Sequence, residues 1–380
     1  MHFFALSLFW LLFFFSLAYM FILFIITIGW YRLKEFNGFQ IGDLPDVSVI
    51  IAIRNEQKNI ETTLTDLIHQ DYPINRFELV LVNDHSDDDT VKLVQACINQ
   101  KKDNRIRLID STGIGKKAAI REGIKMASFH LIVTTDGDCS YDSKWLRRMV
   151  EYQLLKGAKM VVGPVIYGKR KGVLQKFFLL DFMSLVASGA GSLGMGLPLV
   201  ANGANMLFQK QTYENAINTQ RGSKYVSGDD VFLLHAIAKK YGSRSVHFIK
   251  DQSTIVSTEP PDSCNSFLMQ RKRWASKAKG YRAWWPVLVS LIVFSTNLML
   301  VLSVFISVLK PWFLIIFGLF VLLKTLTDLP LLRGFAEFSN RKNIVPYVFL
   351  FEFLYPFYIV FTAISSLFSS FSWKGRRHVK

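Results

Sequence analysis

Residues 47–56 read Val47-Ser48-Val49-Ile50-Ile51-Ala52-Ile53-Arg54-Asn55-Glu56. A β-branched, almost wholly apolar run of seven that stops at three polar residues marks a strand buried on both faces of a parallel sheet. Asn55 is expected to cap an amphipathic helix ending near His69. Working outward, Phe77–Val82 reads as a second strand, Arg105–Ile109 as a third, His130–Thr135 as a fourth and Met160–Gly163 as a fifth. Helices are expected over 90–100, 116–126 and 143–155, the first introduced by Ser86 and Asp89 as a capping box. Strands alternating with helices imply a doubly wound α/β sheet. Ligands of such sheets sit beyond the carboxyl ends of the strands.

The polar residues gather there. Arg54-Asn55-Glu56 follows the first strand, Asn83-Asp84-His85-Ser86 the second and Asp136-Gly137-Asp138 the fourth. An Asp-Gly-Asp turn alone is ordinary turn chemistry. Three acid-bearing clusters on one edge of one sheet point to a site. Two carboxylates on a tight turn suit a hard divalent cation, Mg2+ or Mn2+, bridging to a diphosphate.

The composition adds a membrane. Of 380 residues, 51% are hydrophobic and 33 are Phe, mean hydropathy is +0.25, and only 19% are charged. These values exclude disordered, collagenous and disulfide-framework chains. Phe3–Trp30 exceeds the roughly 20 apolar residues that span a bilayer. It lacks a basic start and a small-residue cleavage site, so it reads as an uncleaved anchor. Arg32 and Lys34 place the following segment in the cytoplasm. Segments 286–309, 312–332 and 344–370 are each long enough to cross, with Pro356 as the expected break in the last. Three full crossings would put the basic tail (Lys374, Arg376, Arg377, Lys380) outside, against the charge rule. The organisation read is an anchor over 1–30, a cytoplasmic domain with interfacial helices over 31–283, and membrane helices with a basic tail over 284–380.

The net charge is +16, and the middle segment holds 36 of the 45 basic and 26 of the 29 acidic residues. Basic residues crowd beside apolar segments, which favours contact with anionic membrane lipids over nucleic acid. Cys97, Cys139 and Cys264 form no CxxC, which suits a reducing compartment and argues against a zinc site. Val173–Val186 is expected to pack in the core or to lie in the membrane interface. Arg271, Lys272, Lys277, Lys279 and Arg282 are expected to snorkel from a helix beside the membrane.

The ordered set VSVIIAIRNE (47–56), VLVNDHSDDDT (80–90), GKKAAIREG (115–123), TTDGD (134–138), NGANMLF (202–208), SGDDVFLL (227–234) and QRKRW (270–274) resembles the membrane-bound family 2 glycosyltransferases with a GT-A fold. That family includes cellulose, chitin, hyaluronan and poly-N-acetylglucosamine synthases and ceramide glucosyltransferases. The resemblance covers residues 45–280 and implies a mixed-sheet GT-A domain joined to transmembrane helices. It implies that Arg54, Asn55 and Glu56 line the nucleotide pocket and that Asp84 contacts the uridine. The family often has an acid just before that position, where this chain has Asn83. It implies that Lys116 faces the diphosphate at a helix N-terminus, and that Asp136 and Asp138 bind the metal-diphosphate, Asp138 directly. Asp230 matches the catalytic base, and Asp229 stands where the family often has Glu. Such a base takes the acceptor hydroxyl proton. Gln270 and Trp274 would hold the acceptor, Arg273 the leaving diphosphate, and Asn202, Gly203 and Asn205 would meet the acceptor. The implied activity is inverting transfer from a UDP-sugar to a lipid-linked or polysaccharide acceptor at the inner membrane, with a slight lean to a lipid or short acceptor. The alternatives are a processive polysaccharide synthase and a non-catalytic nucleotide-sugar-binding component, the latter disfavoured because Asp138 and Asp230 are both kept. The scarcity of charge within the spans argues against a transporter.

Overall fold

The structure is a computed structural model that describes residues 2–39, 41–101, 103–217, 229–276, 280–368, 371–373 and 376–378. The strands are β1 (Val47–Ile53), β2 (Phe77–Asn83), β3 (Ile106–Asp110), β4 (Leu131–Asp136), β5 (Cys139–Ser140), β6 (Met160–Val162), β7 (Val165–Tyr167), β8 (Met206–Gln209), β9 (Val246–Phe248), β10 (Val256–Thr258), β11 (Phe371–Trp373) and β12 (Arg376–His378). The helices are α1 (His2–Arg32), α2 (Ile60–Ile68), α3 (Thr90–Lys101), α4 (Lys116–Met126), α5 (Trp145–Lys156), α6 (Val173–Gly194), α7 (Lys210–Ile217), α8 (Asp229–Tyr241), α9 (Cys264–Ala275), α10 (Trp284–Ser307), α11 (Trp312–Phe338), α12 (Tyr347–Phe351) and α13 (Tyr355–Phe368). They form two compact units, residues 33–169 with 200–259, and residues 1–32 with 170–199 and 260–380.

The first unit is built on a seven-stranded sheet in the order β3-β2-β1-β4-β8-β6-β9. β1 runs parallel to both β2 and β4, while β8 is antiparallel to β4 and to β6. The sheet is therefore mixed, as the resemblance implies, and the antiparallel pairings are made by β8, a strand that the alternation read from the sequence does not include. A short strand entered from a loop leaves no periodicity that tells its direction. The central strands are buried on both faces, which is why β1 and β2 read as apolar runs. Register pairs Ala52 with Asp136, Ile53 with Asn83, and Asn83 with Asp110. The strands thus end level, and the polar clusters share one edge.

Two expected caps differ. Asn55 does not cap α2: the chain turns once more, the Glu56 carbonyl accepting from the Asn59 and Ile60 amides, before the helix starts. Nor does Ser86 cap α3. Asp88 Oδ1 takes the Thr90 amide at 3.0 Å, and the Ser86 hydroxyl accepts from the Asn55 amide at 3.3 Å. Several Asp and Ser residues in a row offer more than one acceptor, and the loop geometry chooses among them.

In the second unit, four helices among the described residues are long and apolar enough to cross a membrane: Leu6–Arg32 of α1, then α6, α10 and α11. α6 belongs to this unit, so the segment 31–283 is interrupted by a helix that meets the length for a span. α1 and α6 cross at glycines. A Cβ on Gly191 would fall on the Ile26 carbonyl, and one on Gly194 on the Gly29 carbonyl. Such small-residue crossings allow backbones to touch. Gly191→Leu is expected to cost about 1–3 kcal/mol by overpacking, seen as a lowered Tm of the detergent-solubilised protein. An unchanged Tm would show that the crossing is not tight.

The last apolar segment is not one straight helix. Residues 342–351 and 355–368 meet at 78°. The break lies at 352–354 and not at Pro356, which sits in the first turn of α13, where a missing N–H is harmless. Glu352 at the break holds the Lys324 ammonium at 2.7 Å, and Lys324 also lies 2.7 Å from Asp328. Tyr19 donates to Asp328 at 2.6 Å. Lys324, Asp328 and Glu352 are thus gathered into one buried cluster.

Candidate active site

The edge of the mixed sheet is built from the loops that end β1, β2 and β4. Arg54 is buried, and its guanidinium donates to the carbonyls of Asp84 (2.8 Å) and His85 and lies 3.5 Å from Asp87. Asn55, at φ +53°, exchanges two bonds with Asp87, its amide nitrogen to Oδ1 at 2.6 Å and its oxygen to the Asp87 amide at 3.0 Å. The Glu56 amide donates to the Thr90 hydroxyl at 2.7 Å. These three residues join the first loop to the second. Asn83 is equally engaged. It donates to Asp110 at 2.8 Å and accepts the Ser86 amide at 2.9 Å. Asp84 is almost fully buried and accepts the Gly115 amide at 2.9 Å, tying the second loop to the start of α4.

The Asp136-Gly137-Asp138 turn is fixed from below. The Thr63 hydroxyl lies 3.0 and 2.8 Å from the carbonyls of Gly137 and Cys139, and Tyr141 donates to the Asp136 carbonyl at 3.2 Å. A Cβ on Gly137 would lie 3.0 Å from Ile53 and 3.1 Å from Glu56, so a larger residue in the turn would require those side chains to shift. Burial, with Asp138 and Asp136, pushes the Cys139 thiol well above its usual range, so it stays neutral and structural beside the acids.

Lys116 opens α4 after Gly115, whose φ of +95° is a glycine conformation. Its ammonium forms a close ion pair with Asp136. Burial alone would lower its pKa. Asp136, then Asp230 and Asp138, outweigh that and raise it. One lysine thus senses three carboxylates, two from the turn that ends β4 and one from the start of α8. Asp230, at the start of α8, accepts the Gly203 amide at 3.3 Å and the Val231 amide at 2.8 Å. The turn 202–205 is stitched to β4 by Thr134 to the Gly203 carbonyl (3.0 Å) and Thr135 to the Ala204 carbonyl (2.8 Å). Asn202 accepts the Ala204 amide within that turn at 3.1 Å.

The structure therefore brings together Asp84, Lys116, Asp136, Asp138, Gly203 and Asp230. Asn205 is not among them. It is fully buried, accepting from the Trp145 indole at 3.0 Å and donating to the carbonyls of Pro164 (2.9 Å) and Thr254 (2.8 Å). Its side chain supports the turn and does not face an acceptor. Asp229 begins α8, with its side chain outside the described residues, as are Gly228, Lys277 and Lys279. Among the described residues no group of three or more His, Cys, Asp and Glu encloses a metal.

The QRKRW stretch lies on α9, which Ser263 starts by accepting the Ser266 amide at 3.2 Å. Arg271 does not snorkel. It is buried, 2.5 Å from Asp181 of α6. Asp181 was not singled out in the sequence, although a lone acid in an apolar helix is a signal that a partner exists.

The sequence matches the family "Glycosyl transferase family 2" over residues 48–186 and "Glycosyl transferase family group 2" over residues 131–327. The glycosyltransferase AglE of Haloferax volcanii is 35% identical over 122 residues, which is 32% of this chain and 40% of that protein. The poly-beta-1,6-N-acetyl-D-glucosamine synthase of Staphylococcus epidermidis is 23% identical over 248 residues, 64% of this chain and 57% of that one. The chain thus spans roughly half the length of these relatives. A mannosyltransferase from Pyrobaculum calidifontis, solved with GDP-Man and Mn2+, superposes with a TM-score of 0.62 at 17% identity, covering 95% of this chain and 99% of that one, which shows a shared fold. With its mixed GT-A sheet, the matched family spanning half its length and this cluster of acids on the sheet edge, the chain belongs to glycosyl transferase family group 2 and is a family 2 glycosyltransferase.

Proposed function

We propose that the chain is a membrane-bound, metal-dependent, inverting glycosyltransferase that moves a sugar from a UDP-sugar to a lipid-linked or polysaccharide acceptor. The observation that carries this reading is Lys116 held among Asp136, Asp138 and Asp230 at the carboxyl edge of the sheet. A diphosphate needs cations and amides, an attacking acceptor hydroxyl needs a base, and this edge supplies both. Lys116 and the α4 N-terminus would receive the diphosphate, and Asp84 the nucleoside. Arg273 of α9 would stabilise the leaving diphosphate, with Gln270 and Trp274 holding the acceptor. Asp230 would accept the hydroxyl proton as the acceptor oxygen attacks.

The donor set fits a hard cation. Asp136 and Asp138 offer two carboxylates on one rigid turn, and Mg2+ or Mn2+ commonly takes one or two carboxylates and completes its shell with phosphates and water. Such an ion would neutralise charge on the diphosphate. The unit carrying this site is assigned to the cytoplasmic face of the inner membrane from Arg32 and Lys34 after α1.

The test is incubation of membranes carrying the full chain with labelled UDP-sugars and GDP-sugars, followed by separation of lipid-soluble from polymeric product. Label from a UDP-sugar in either product is the expected result, and polymer alone would favour the processive reading. GDP-sugar use alone would overturn the donor assignment. No transfer from any donor would overturn the proposed activity.

A further inference from the structure

α6 contains a single acid, Asp181, whose carboxylate is buried and bound on both oxygens. Oδ2 lies 2.5 Å from Arg271 Nε, and Oδ1 accepts the Tyr355 hydroxyl at 3.1 Å. Arg271 in turn donates from Nη1 to Gln270 Oε1 at 2.5 Å. Its guanidinium lies 4.3 Å from the Trp274 ring centroid and 4.4 Å from that of Phe267. Phe182, the neighbour of Asp181, packs against Trp274 at 5.8 Å. Within Gln270-Arg271-Lys272-Arg273-Trp274, Arg271 thus touches both the first residue and the last. A planar guanidinium with fixed partners restricts whatever it touches.

We propose that Asp181 is a positioning residue for sugar transfer, acting through Arg271 to fix the Gln270 amide and the Trp274 ring in the orientation the acceptor requires. This rests on the roles proposed above for Gln270 and Trp274. The competing explanation is neutralisation alone. A buried charge must have a partner, and loss of one partner leaves the other uncompensated. The two explanations part when both charges are removed together, because replacing a buried pair with apolar residues of similar volume is often neutral for stability.

The experiment compares the full-length wild type with Asp181→Leu/Arg271→Met/Tyr355→Phe in membranes. The probe is UDP-N-acetylglucosamine, or whichever nucleotide sugar the wild-type chain uses. Two rates are read, transfer to the endogenous membrane acceptor and hydrolysis of the same donor by water. Hydrolysis needs the donor site but no held acceptor. The triple variant is expected to fold, with a Tm lowered because Tyr358 loses its partners Asp181 and Arg271, and to keep hydrolysis within about threefold, while transfer falls on the order of 10²-fold, as a misplacement of about 1 Å can produce. Arg271→Lys keeps the charge and loses the fork, so it is expected to recover stability and not transfer. Equal loss of both rates, or wild-type transfer, overturns the positioning role. Should the triple variant not fold, Tyr355→Phe alone removes one bond to Asp181. A severalfold drop in the transfer-to-hydrolysis ratio is expected, and an unchanged ratio overturns the proposal. A wild-type chain that uses no donor would instead overturn the proposed function.

Discussion

Asp230→Asn is expected to lower transfer by roughly 10²–10⁴-fold, the usual contribution of a positioned general base, while affinity for the nucleotide sugar stays within a few-fold. The side chain keeps its shape, and its remaining oxygen can still accept one of the two amides, Val231 or Gly203, that the two carboxylate oxygens accept separately. What it loses is basicity and charge. Loss of a group that acts only in the transition state lowers kcat and kcat/KM together. Asp229→Asn should be milder, since Asp229 is expected to support Asp230 in catalysis from the helix N-terminus and not to act as the base itself. Two assays decide the matter, binding of the nucleotide sugar and transfer to acceptor. Wild-type transfer by the Asp230 variant, or a larger loss at Asp229, would move the base elsewhere. Loss of donor binding would place Asp230 in the donor pocket, which its electrostatic reach to Lys116 makes the alternative to watch.

Asp138→Ala is expected to remove turnover by about 10³-fold or more, because a metal on phosphoryl oxygens supplies several kcal/mol of transition-state stabilisation. The same substitution should abolish the metal-dependent part of donor binding. The rigid turn makes this a clean test. Thr63 and Tyr141 hold it through backbone carbonyls, so deleting the Asp138 side chain leaves those bonds in place. Asp136→Ala should differ, since it also frees Lys116 from its ion pair. Full activity of the Asp138 variant, or activity unchanged by excess chelator, would rule out the metal role.

Much of this site was legible in the chain. β1, β2 and β4 are apolar because both faces are covered, so their ends could be located to within a residue, and with them Arg54, Asp84 and the Asp136–Asp138 turn. What each polar residue does there was less legible. Arg54 and Asn55 shape the loops through bonds to residues 84–87, some thirty positions away. Asn205 sits in a motif yet points into the protein, because Trp145, Pro164 and Thr254 converge on it. Sequence alone offers no way to tell an amide that faces a ligand from one that satisfies a buried indole and two carbonyls.

The sequence by itself determined the α/β alternation, the level edge of acids, the lengths of the apolar segments and the family. These follow from local quantities: periodicity, turn chemistry, and the number of apolar residues a bilayer demands. Only the tertiary structure decided the direction of β8, the bend at Glu352 and the burial of Arg271. Each depends on partners distant in the chain. β8 is oriented by pairing with β4 and β6, and Glu352 is held by Lys324 of α11. Arg271 would snorkel on a lone amphipathic helix, but Asp181, ninety residues earlier, makes burial the lower-energy choice.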